Sequence, residues 1–444
     1  MDKERRLLWL GLALQSLVAC LCLGYWHPDE HFQILEWAGF LEGRVTASAL
    51  SWEYGQHMRS WLLPMMAHTF LRPYHALGFE NPFVIESILR LAASALALWT
   101  SLRCLKSFAA DLSPERLSAA RWLILFGCAL PFLHARLSSE ALATAFFLWA
   151  LSEREKPFRA GVLMGLTFGL RFQSLLLAGG FLAAVPRSRK AAPWLLRLIA
   201  GFALSLAFEA VLDRVGYGTW AFPAWNYVRI NIFEGQAAAF GTQPFWHYGR
   251  WMLEVLPPFG WLLLAASLLW VWHRPRHALT WALVPFVLVH CVLGHKELRF
   301  LTPLFWIAPI WVAATMPPWA RWPRVLTYPL LGLNFVYLIG LGFVPARSEI
   351  SFYRWAWRER PAHLGILGDI PDPFLQAGLP LNFYRPTELV TARIAEPKGL
   401  LLSASLEAPA PDCQARFTSA PALMPRWLIE RTRLRVMNVW DCGT

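Results

Sequence analysis

LLWLGLALQSLVACLCLGYW, residues 7–26, is followed without a break by His27-Pro28-Asp29-Glu30-His31-Phe32-Gln33. The first of these stretches has 20 residues and no charge, which is enough for one helix to cross a bilayer. The carboxylates of Asp29 and Glu30 are therefore expected where hydrocarbon meets water, at the mouth of this span. Every membrane helix ends in polar residues, so the pair taken alone fits a structural role as well as a catalytic one.

The composition is that of a polytopic membrane protein. Of the 444 residues, 56% are hydrophobic and 16% are charged, with a mean hydropathy of +0.39, which is more apolar sequence than a soluble core hides. The net charge of +12 lies largely in short connectors, a pattern that orients membrane proteins and attracts anionic lipid, so no nucleic-acid partner is expected. Residues 1–6 are charged and no small-residue cleavage site follows, which predicts a retained first helix.

Apolar segments along the chain predict about eleven transmembrane helices. After the first span, residues 27–82 form a long outer loop with two amphipathic helices, 30–40 and 61–70, which are too short to span. The other predicted spans are 83–102, 121–134, 141–151, two within 160–185, 194–212, 251–272, 279–293, 300–316 and 325–344.

Residues 160–185 decide the topology. A single helix would hold Arg171 at mid-bilayer, at a cost of about 3 kcal/mol, whereas two short helices joined at residues 171–174 avoid that cost. With the two-helix reading, the basic residues of the short loops fall on the side of the N-terminus. They are Lys3, Arg5, Arg6, Arg103, Lys106, Arg116, Arg154, Lys156, Arg159, Arg187, Arg189, Lys190, Arg274, Arg276, Arg321 and Arg324. A single span would place every later loop on the opposite side.

The chain changes character after residue 345. Apolar runs shorten to strand length at 389–394, 400–406 and 434–440 and alternate with proline-rich turns, which predicts a small mixed α/β domain outside the membrane. The predicted domains are therefore a transmembrane domain, 1–345, and a C-terminal domain, 346–444. Cys413 and Cys442 lie in this tail and can form a disulfide only if the tail is outside the cytoplasm.

A second charged motif, His295-Lys296-Glu297-Leu298-Arg299-Phe300, lies between two apolar segments. In the topology above it emerges on the same outer side as Asp29, so the two motifs are expected to face one another across the bundle. Lys296 and Arg299 are three residues apart and would share one face of a helix, where they make a clamp for a phosphate. A solvated loop with internally paired charges is the alternative.

The two motifs together resemble glycosyltransferase family 22, the mannosyltransferases of the GPI anchor and of the lumenal N-glycan precursor. His27-Pro28-Asp29-Glu30 after the first span and His-Lys-Glu-x-Arg-Phe at 295–300 carry this resemblance, which covers roughly residues 5–345. Arg136-Leu137-Ser138-Ser139-Glu140 is similar to a family segment that usually has Asn at or beside position 139, and Arg171-Phe172-Gln173 looks like the family's outer-face arginine. The tail lacks the Pro-Cys-His-Ser signature of the eukaryotic GPI members, so the acceptor does not carry over.

The resemblance implies a GT-C fold, a polyprenyl- or dolichyl-phosphate-linked sugar donor, usually of mannose, and inversion at the anomeric carbon. A single displacement needs one carboxylate to take the proton of the acceptor hydroxyl, and the charge of the departing phosphate must be stabilised. Asp29 is the predicted base, with Glu30 beside it to orient it or to contact the acceptor. The predicted donor-phosphate residues are Lys296, Arg299, Arg171 and His295, and the predicted acceptor or supporting residues are His27, Glu297, Glu140 and Gln33.

The predicted partners are this donor, a lipid-linked glycan or glycolipid acceptor and membrane lipids. No motif requires a metal or other cofactor, although Asp29 and Glu30 have the chemistry to hold a divalent ion. The predicted location is a bacterial inner membrane with a periplasmic site, or the endoplasmic reticulum membrane in a eukaryote.

A lipid or sugar transporter is the main alternative, with Asp29, Glu86, Arg171 and Glu297 as charged residues of an intramembrane pathway. It predicts two repeated halves with discontinuous helices at matching positions, and the sequence shows no such symmetry. A non-catalytic assembly subunit with an outer recognition tail is a further reading. The pair of motifs favours glycosyl transfer over both.

Overall fold

The computed structural model describes residues 3–184, 191–317, 322–368, 381–386, 388–420, 426 and 436–443. Four of the predicted loop cations, Arg187, Arg189, Lys190 and Arg321, lie outside these residues. The α-helices of the described chain are, in order, α1 Lys3–Leu21, α2 Glu36–Leu41, α3 Trp52–Gly55, α4 Leu62–Ala76, α5 Pro82–Ser107, α6 Pro114–Phe126, α7 Leu130–His134, α8 Ser139–Ser152, α9 Pro157–Leu170, α10 Gly179–Ala184, α11 Ala191–Tyr217, α12 Pro223–Val228, α13 Gln236–Ala239, α14 His247–Glu254, α15 Phe259–His273, α16 Ala278–Val292, α17 Thr302–Thr315, α18 Arg324–Gly342 and α19 Ser348–Glu359.

Short 3-10 and π turns connect several of these helices. The π turns are His31–Leu35 and Arg229–Phe233, and the 3-10 turns are Ala47–Ala49, Ala109–Asp111, Phe172–Ala178 and Leu298–Leu301. Among the described residues, four helical segments are long and apolar enough to cross a membrane: Pro82–Ser107, Ala191–Tyr217, Leu298–Thr315 and Arg324–Gly342. The chain is thus mostly helical, with several apolar helices, as expected for a multi-pass membrane protein.

Five further apolar helices are too short to cross by themselves at full hydrocarbon thickness. They are Ser139–Ser152, Pro157–Leu170, Phe172–Phe181, Phe259–His273 and Ala278–Val292. All five overlap predicted spans.

Two predicted spans differ from the helices that form. The prediction over 121–134 is split, because α6 ends at Phe126 and α7 begins at Leu130 with Pro131 in its first turn, a position at which proline suits a helix start and not a helix interior. The prediction over 251–272 is split as well. Pro257 and Pro258 follow α14, and these two residues cannot supply the N–H groups of a continuous helix.

The predicted interruption at Arg171 is present. α9 ends at Leu170, Arg171 has extended backbone angles, and a 3-10 turn begins at Phe172. The hydroxyl of Ser174 donates to the carbonyls of Thr167 and Arg171, which satisfies the acceptors that the ended helix leaves open. The reading of 160–185 as two helices is confirmed to this extent.

The described chain separates into two compact units. The first comprises Met1–Leu21, Trp52–Met66 and Ile88–Phe343. Within it α9 packs closely against α11 at Gly161 and Gly201, where any side chain would collide with the facing backbone, the small-residue contact typical of membrane helices. Gln15 of α1 accepts hydrogen bonds from Ser94 and His134 and donates to the carbonyl of Ile124.

The second unit comprises Cys22–Ser51, Ala67–Ser87 and Val344–Thr444. Its sheet has the order β2-β1-β3-β5-β4, with β1 His363–Leu367, β2 Val390–Ile394, β3 Leu400–Ser403, β4 Gln414–Thr418 and β5 Asn438–Asp441. β1 pairs in parallel with β2 and β3, and β5 pairs antiparallel with β3 and β4. The predicted strands 389–394 and 400–406 overlap β2 and β3. The third overlaps β5, although its residues 434 and 435 lie outside the described chain.

A single hydrophobic core joins the three stretches of the second unit. Phe32 from the predicted outer loop and Phe83 from α5 are buried with Ile350 and Tyr353 of α19 and with Val439 of β5. Backbone contacts add to this packing, because the N–H of residue 346 donates to the carbonyl of residue 23 at 2.9 Å. The segment that carries Asp29 is therefore an integral part of this unit, while the predicted boundary at residue 345 stays a prediction.

Candidate active site

Glu140 is at the centre of a buried ion cluster in the first unit. Ser138 caps α8 by accepting the N–H of Ala141 at 3.1 Å, so Glu140 lies in the first helical turn, where the helix dipole favours a carboxylate. Its Oε1 atom lies 3.3 Å from Nη2 of Arg171 and 3.1 Å from Nη1 of Arg299. The side chain of Glu140 is 3% exposed, and those of the two arginines are 8% exposed.

The ring of Phe300 completes the surroundings of these arginines. The guanidinium carbon of Arg171 lies 4.9 Å from the ring centre and that of Arg299 lies 5.5 Å from it, which adds a cation–π contribution to the binding of each cation. The interruption after α9 carries Arg171, and the 3-10 turn Leu298–Leu301 carries Arg299. Two distant parts of the sequence thus bring their positive charges to one carboxylate oxygen.

The loop before Arg299 forms a second set of charged contacts. Nε of Arg299 donates to Oε2 of Glu297, whose Oε1 lies 2.8 Å from Nε2 of His295. That hydrogen bond to Glu297 raises the pKa of His295 above its ordinary value, against a smaller opposing effect of burial. The hydroxyl of Tyr248, which the sequence analysis missed, donates to the backbone carbonyl of Glu297 at 3.2 Å and fixes this loop.

Lys296 has different contacts from Arg299. Its ammonium donates to the carbonyl of Leu293 and lies 5.9 Å from the centre of the Tyr248 ring, and burial lowers its pKa. The 3-10 turn begins at Leu298, so the prediction that Lys296 and Arg299 share one helix face is wrong. A spacing of three residues places two side chains together only when both lie within the same helix.

A narrow cavity opens beside the ion cluster, lined by Glu140, Arg171 and Phe300 and by Thr144 and His290 among others. The space open to a water molecule is about 10 Å³, which is about the room of one water. Through this cavity a phosphate therefore reaches the guanidinium group of Arg171 only if side chains of the cluster move.

The acidic motif lies in the second unit, at the start of a π turn. Nδ1 of His27 accepts the backbone N–H of Asp29 at 3.3 Å, and Oε1 of Glu30 accepts the N–H of His27 at the same distance. The side chain of Asp29 is 18% exposed, whereas Glu30 and Gln33 are buried. Of the two neighbouring carboxylates, Asp29 is thus the one that an incoming molecule reaches more easily.

A buried carboxylate that the sequence analysis missed lies six residues after Glu30. Glu36 is 0% exposed, and its Oε1 accepts Nε2–H of His31 at 2.7 Å and the N–H of Phe383 at 3.2 Å. Its Oε2 accepts Nδ2 of Asn382 at 3.1 Å, and the ring of His31 stacks on Tyr384. The only sequence signal was an acid among apolar residues of an amphipathic helix, because its partners Asn382 and Phe383 lie almost 350 positions away.

Over the part of the chain that the structure describes, no group of three or more His, Cys, Asp or Glu side chains has the arrangement to hold a metal ion. The expectation that no metal is required stays a prediction.

The helices and the buried charges define the class: a multi-pass membrane protein with cationic and acidic clusters carried by the connections between its helices. The chain belongs to the Alg9-like mannosyltransferase family, whose sequence model matches residues 7–348. This match confirms the resemblance predicted from the two motifs, and the family it identifies is one of glycosyltransferases.

Individual relatives agree with the family. The chain is 26% identical to the GPI mannosyltransferase 3 of Yarrowia lipolytica, over 81% of its own length and 74% of that protein. It is 26% identical to Mannosyltransferase APTG1 of Arabidopsis thaliana, over 69% of its length and 57% of that protein. The GPI alpha-1,2-mannosyltransferase 3 of Homo sapiens is 22% identical over 78% of this chain and 63% of its own length. The chain thus spans between 57% and 74% of these relatives, and no solved structure gives a significant match.

Proposed function

We propose that this protein transfers mannose, with inversion, from a polyprenyl- or dolichyl-phosphate donor to a lipid-linked glycan or glycolipid on the extracytoplasmic side of the membrane. The convergence of Arg171 and Arg299 on one oxygen of Glu140 carries this proposal. Two buried guanidinium groups directed at one anionic oxygen are the arrangement that binds a phosphate. The family match supports mannose as the sugar.

In the proposed reaction Asp29 removes the proton of the acceptor hydroxyl as this oxygen attacks the anomeric carbon, and the polyprenyl phosphate leaves from the opposite face. Arg171 and Arg299 stabilise the charge that develops on the leaving phosphate, a role for which a single donor group is worth about 10²–10³ in rate. Lys296 contributes positive charge from its place beside Tyr248. Glu30 orients Asp29.

The remaining predicted residues have supporting roles in this proposal. His295 and Glu297 hold the loop that carries Arg299, and this hydrogen-bonded chain supports their assignment. The ring of His27 accepts from the N–H of Asp29 and its own N–H donates to Glu30, which supports a role in shaping the acidic turn, residues 27–31. Gln33 is proposed as an acceptor contact.

The membrane arrangement is part of the proposal. We retain about eleven crossings and a C-terminal α/β domain outside the cytoplasm, in the endoplasmic reticulum lumen of a eukaryote or the periplasm of a bacterium. A disulfide joins Cys413 to Cys442, and such bonds persist in oxidising compartments, which supports an outer tail. Cysteine labelling at positions 173 and 297 is expected from the outer side, and labelling of 297 from the cytoplasmic side alone would contradict this topology.

The function is tested by mass spectrometry of lipid-linked glycans from cells with and without the protein. One species is expected to lack a hexose when the protein is absent. In cells without the protein, the Asp29→Asn variant is expected to fold in membranes but not to restore the missing hexose. The control variant Asp111→Asn, which exchanges an acid in a connector on the predicted inner side, is expected to restore it. Near-normal transfer by the Asp29 variant would remove this residue as the base.

A further inference from the structure

Two buried arginines share one carboxylate oxygen in the ion cluster around Glu140, and Arg299 also pairs with Glu297. Arg171 and Arg299 both approach the same oxygen atom, Oε1, within 3.3 Å, and all three side chains are more than nine-tenths buried. A carboxylate binds a single arginine best through both of its oxygens. One oxygen shared between two guanidinium groups gives neither of them a contact with both oxygens of Glu140.

A phosphate monoester or diester matches this arrangement better than Glu140 does. It presents at least two oxygens that carry charge, so each guanidinium group can have its own acceptor. The neighbouring cavity has room for about one water molecule. A phosphate that enters must consequently take over contacts that the carboxylate now makes.

We infer that Glu140 is the resident anion of the donor site, a positioning residue that pairs with Arg171 and Arg299 while no donor is bound and releases them to the phosphate of the lipid-linked sugar. This inference rests on the proposed function. Without the charge of Glu140, Arg299 would keep its pair with Glu297, but the two buried guanidinium groups would repel each other across the vacated position. Glu140 thus keeps the site formed between turnovers and opposes donor binding at the same time.

Glu140→Gln separates these two effects. A charge within about 4–6 Å shifts an ionic equilibrium by an amount of order one pK unit or more, and removing the like charge of Glu140 is therefore expected to tighten phosphate binding on the order of tenfold. The ligand-free variant is expected to unfold at a lower temperature. In turnover, KM for the donor is expected to fall about tenfold by the same argument, and an effect on kcat alone would contradict the inference.

Glu153→Gln is the matched control. Glu153 is a buried acid at the other end of α8, and it pairs with Arg103 and Lys156 rather than with the cluster. Its neutralisation removes a buried carboxylate from the same helix. This control is expected to lower stability without changing the affinity for phosphate.

Binding is measured on the full-length protein in nanodiscs with two probes, citronellyl phosphate and inorganic phosphate. Tighter binding of citronellyl phosphate to Glu140→Gln, with a larger ligand-induced rise in Tm than in the wild type, supports the inference. Tightening for inorganic phosphate alone would overturn the assignment to a lipid-linked ligand. Equal or weaker binding of both probes to the variant would show that Glu140 has only a structural role.

Arg171→Gln and Arg299→Gln separate failure of this inference from failure of the proposed function. If both lose phosphate binding while Glu140→Gln binds as the wild type does, the donor site stands and the resident-anion inference falls. Unchanged binding in both arginine variants would overturn the donor site and the inference with it. If Glu140→Gln does not fold, Glu140→Asp is measured instead, because it keeps the charge but withdraws it from the arginines. An affinity of this variant for citronellyl phosphate equal to that of the wild type would overturn the inference.

Discussion

Glu36→Ala is expected to open the second unit locally around residues 381–386. The substitution removes the acceptor of three donors, a buried one on His31 and two half-buried ones on Asn382 and Phe383. Each donor left without a partner costs about 1–3 kcal/mol, and partial relaxation brings the expected sum to about 3–5 kcal/mol, the range measured when one partner of a buried ionic contact is removed. Glu36→Gln retains one acceptor oxygen, and we expect it to cost about 1–3 kcal/mol.

Hydrogen–deuterium exchange followed by mass spectrometry measures this loss directly. For local opening, 3–5 kcal/mol corresponds to exchange about 2 to 3.5 orders of magnitude faster in peptides that contain Phe383. Glu42→Gln is the control, because Glu42 lies just after the same helix and contacts His75 at 2.7 Å and Arg44 at 3.5 Å. Unchanged exchange of these peptides in Glu36→Ala would refute the reasoning. An equal increase in exchange in Glu36→Ala and in Glu42→Gln would refute it as well.

Three other predictions concern the loop that carries His295, Lys296 and Arg299, and the C-terminal tail. Arg299→Gln is expected to raise the donor KM by one to two orders of magnitude, because a charge-assisted contact worth about 1.5–3 kcal/mol is lost. Lys296→Gln is expected to raise it less, because the ammonium of Lys296 is directed at a carbonyl. Equal effects of the two variants in steady-state kinetics would contradict this order. The raised pKa of His295 means that its pairing contributes stability below about pH 6.5, the ordinary histidine pKa, and that this contribution disappears as pH rises through the folded-state pKa. Tm measured against pH for the wild type and His295→Gln should therefore converge at high pH, and a constant difference would count against the pair. Cys413→Ser is expected to cost about 3–4 kcal/mol in denaturant unfolding, the chain-entropy value for a loop of roughly 30 residues; an equally stable variant would show that the bond to Cys442 constrains little.

The helical framework and the interruption at Arg171 follow from rules that act within a few residues. The cost of a charge in hydrocarbon predicts the break after Leu170 without knowledge of any neighbour. The strands β2 and β3 are likewise visible as short apolar runs between turns. The breaks near Pro131 and Pro257 were missed because the spans were predicted from hydropathy alone. The missing N–H group of proline, which ends a helix, was not taken into account.

The site was predicted less completely, because its geometry depends on distant parts of the chain. Glu140 was named from the family resemblance, Arg171 from that resemblance and from its cost in hydrocarbon, and Arg299 from the charged motif. No spacing rule shows that the two arginines share one oxygen of Glu140. The direction of the Lys296 side chain depends on the residue at which the 3-10 turn begins, here Leu298. Sequence patterns do not locate such a boundary to a single residue. Glu36 was missed because its partners belong to the tail, and Tyr248 because a tyrosine in an aromatic-rich segment has no distinctive pattern.

The second unit is made of chain segments that are synthesised far apart in time. Cys22–Ser51 leaves the ribosome roughly 290 residues before Val344, a delay of about 15–60 s at 5–20 residues per second. During that interval Glu36 and His31 lack their partners Asn382, Phe383 and Tyr384, so the surroundings of residues 31–36 are completed only after residue 384 has been synthesised. Termination of the chain before residue 382 would therefore leave helices of the first unit already made and Glu36 without these partners.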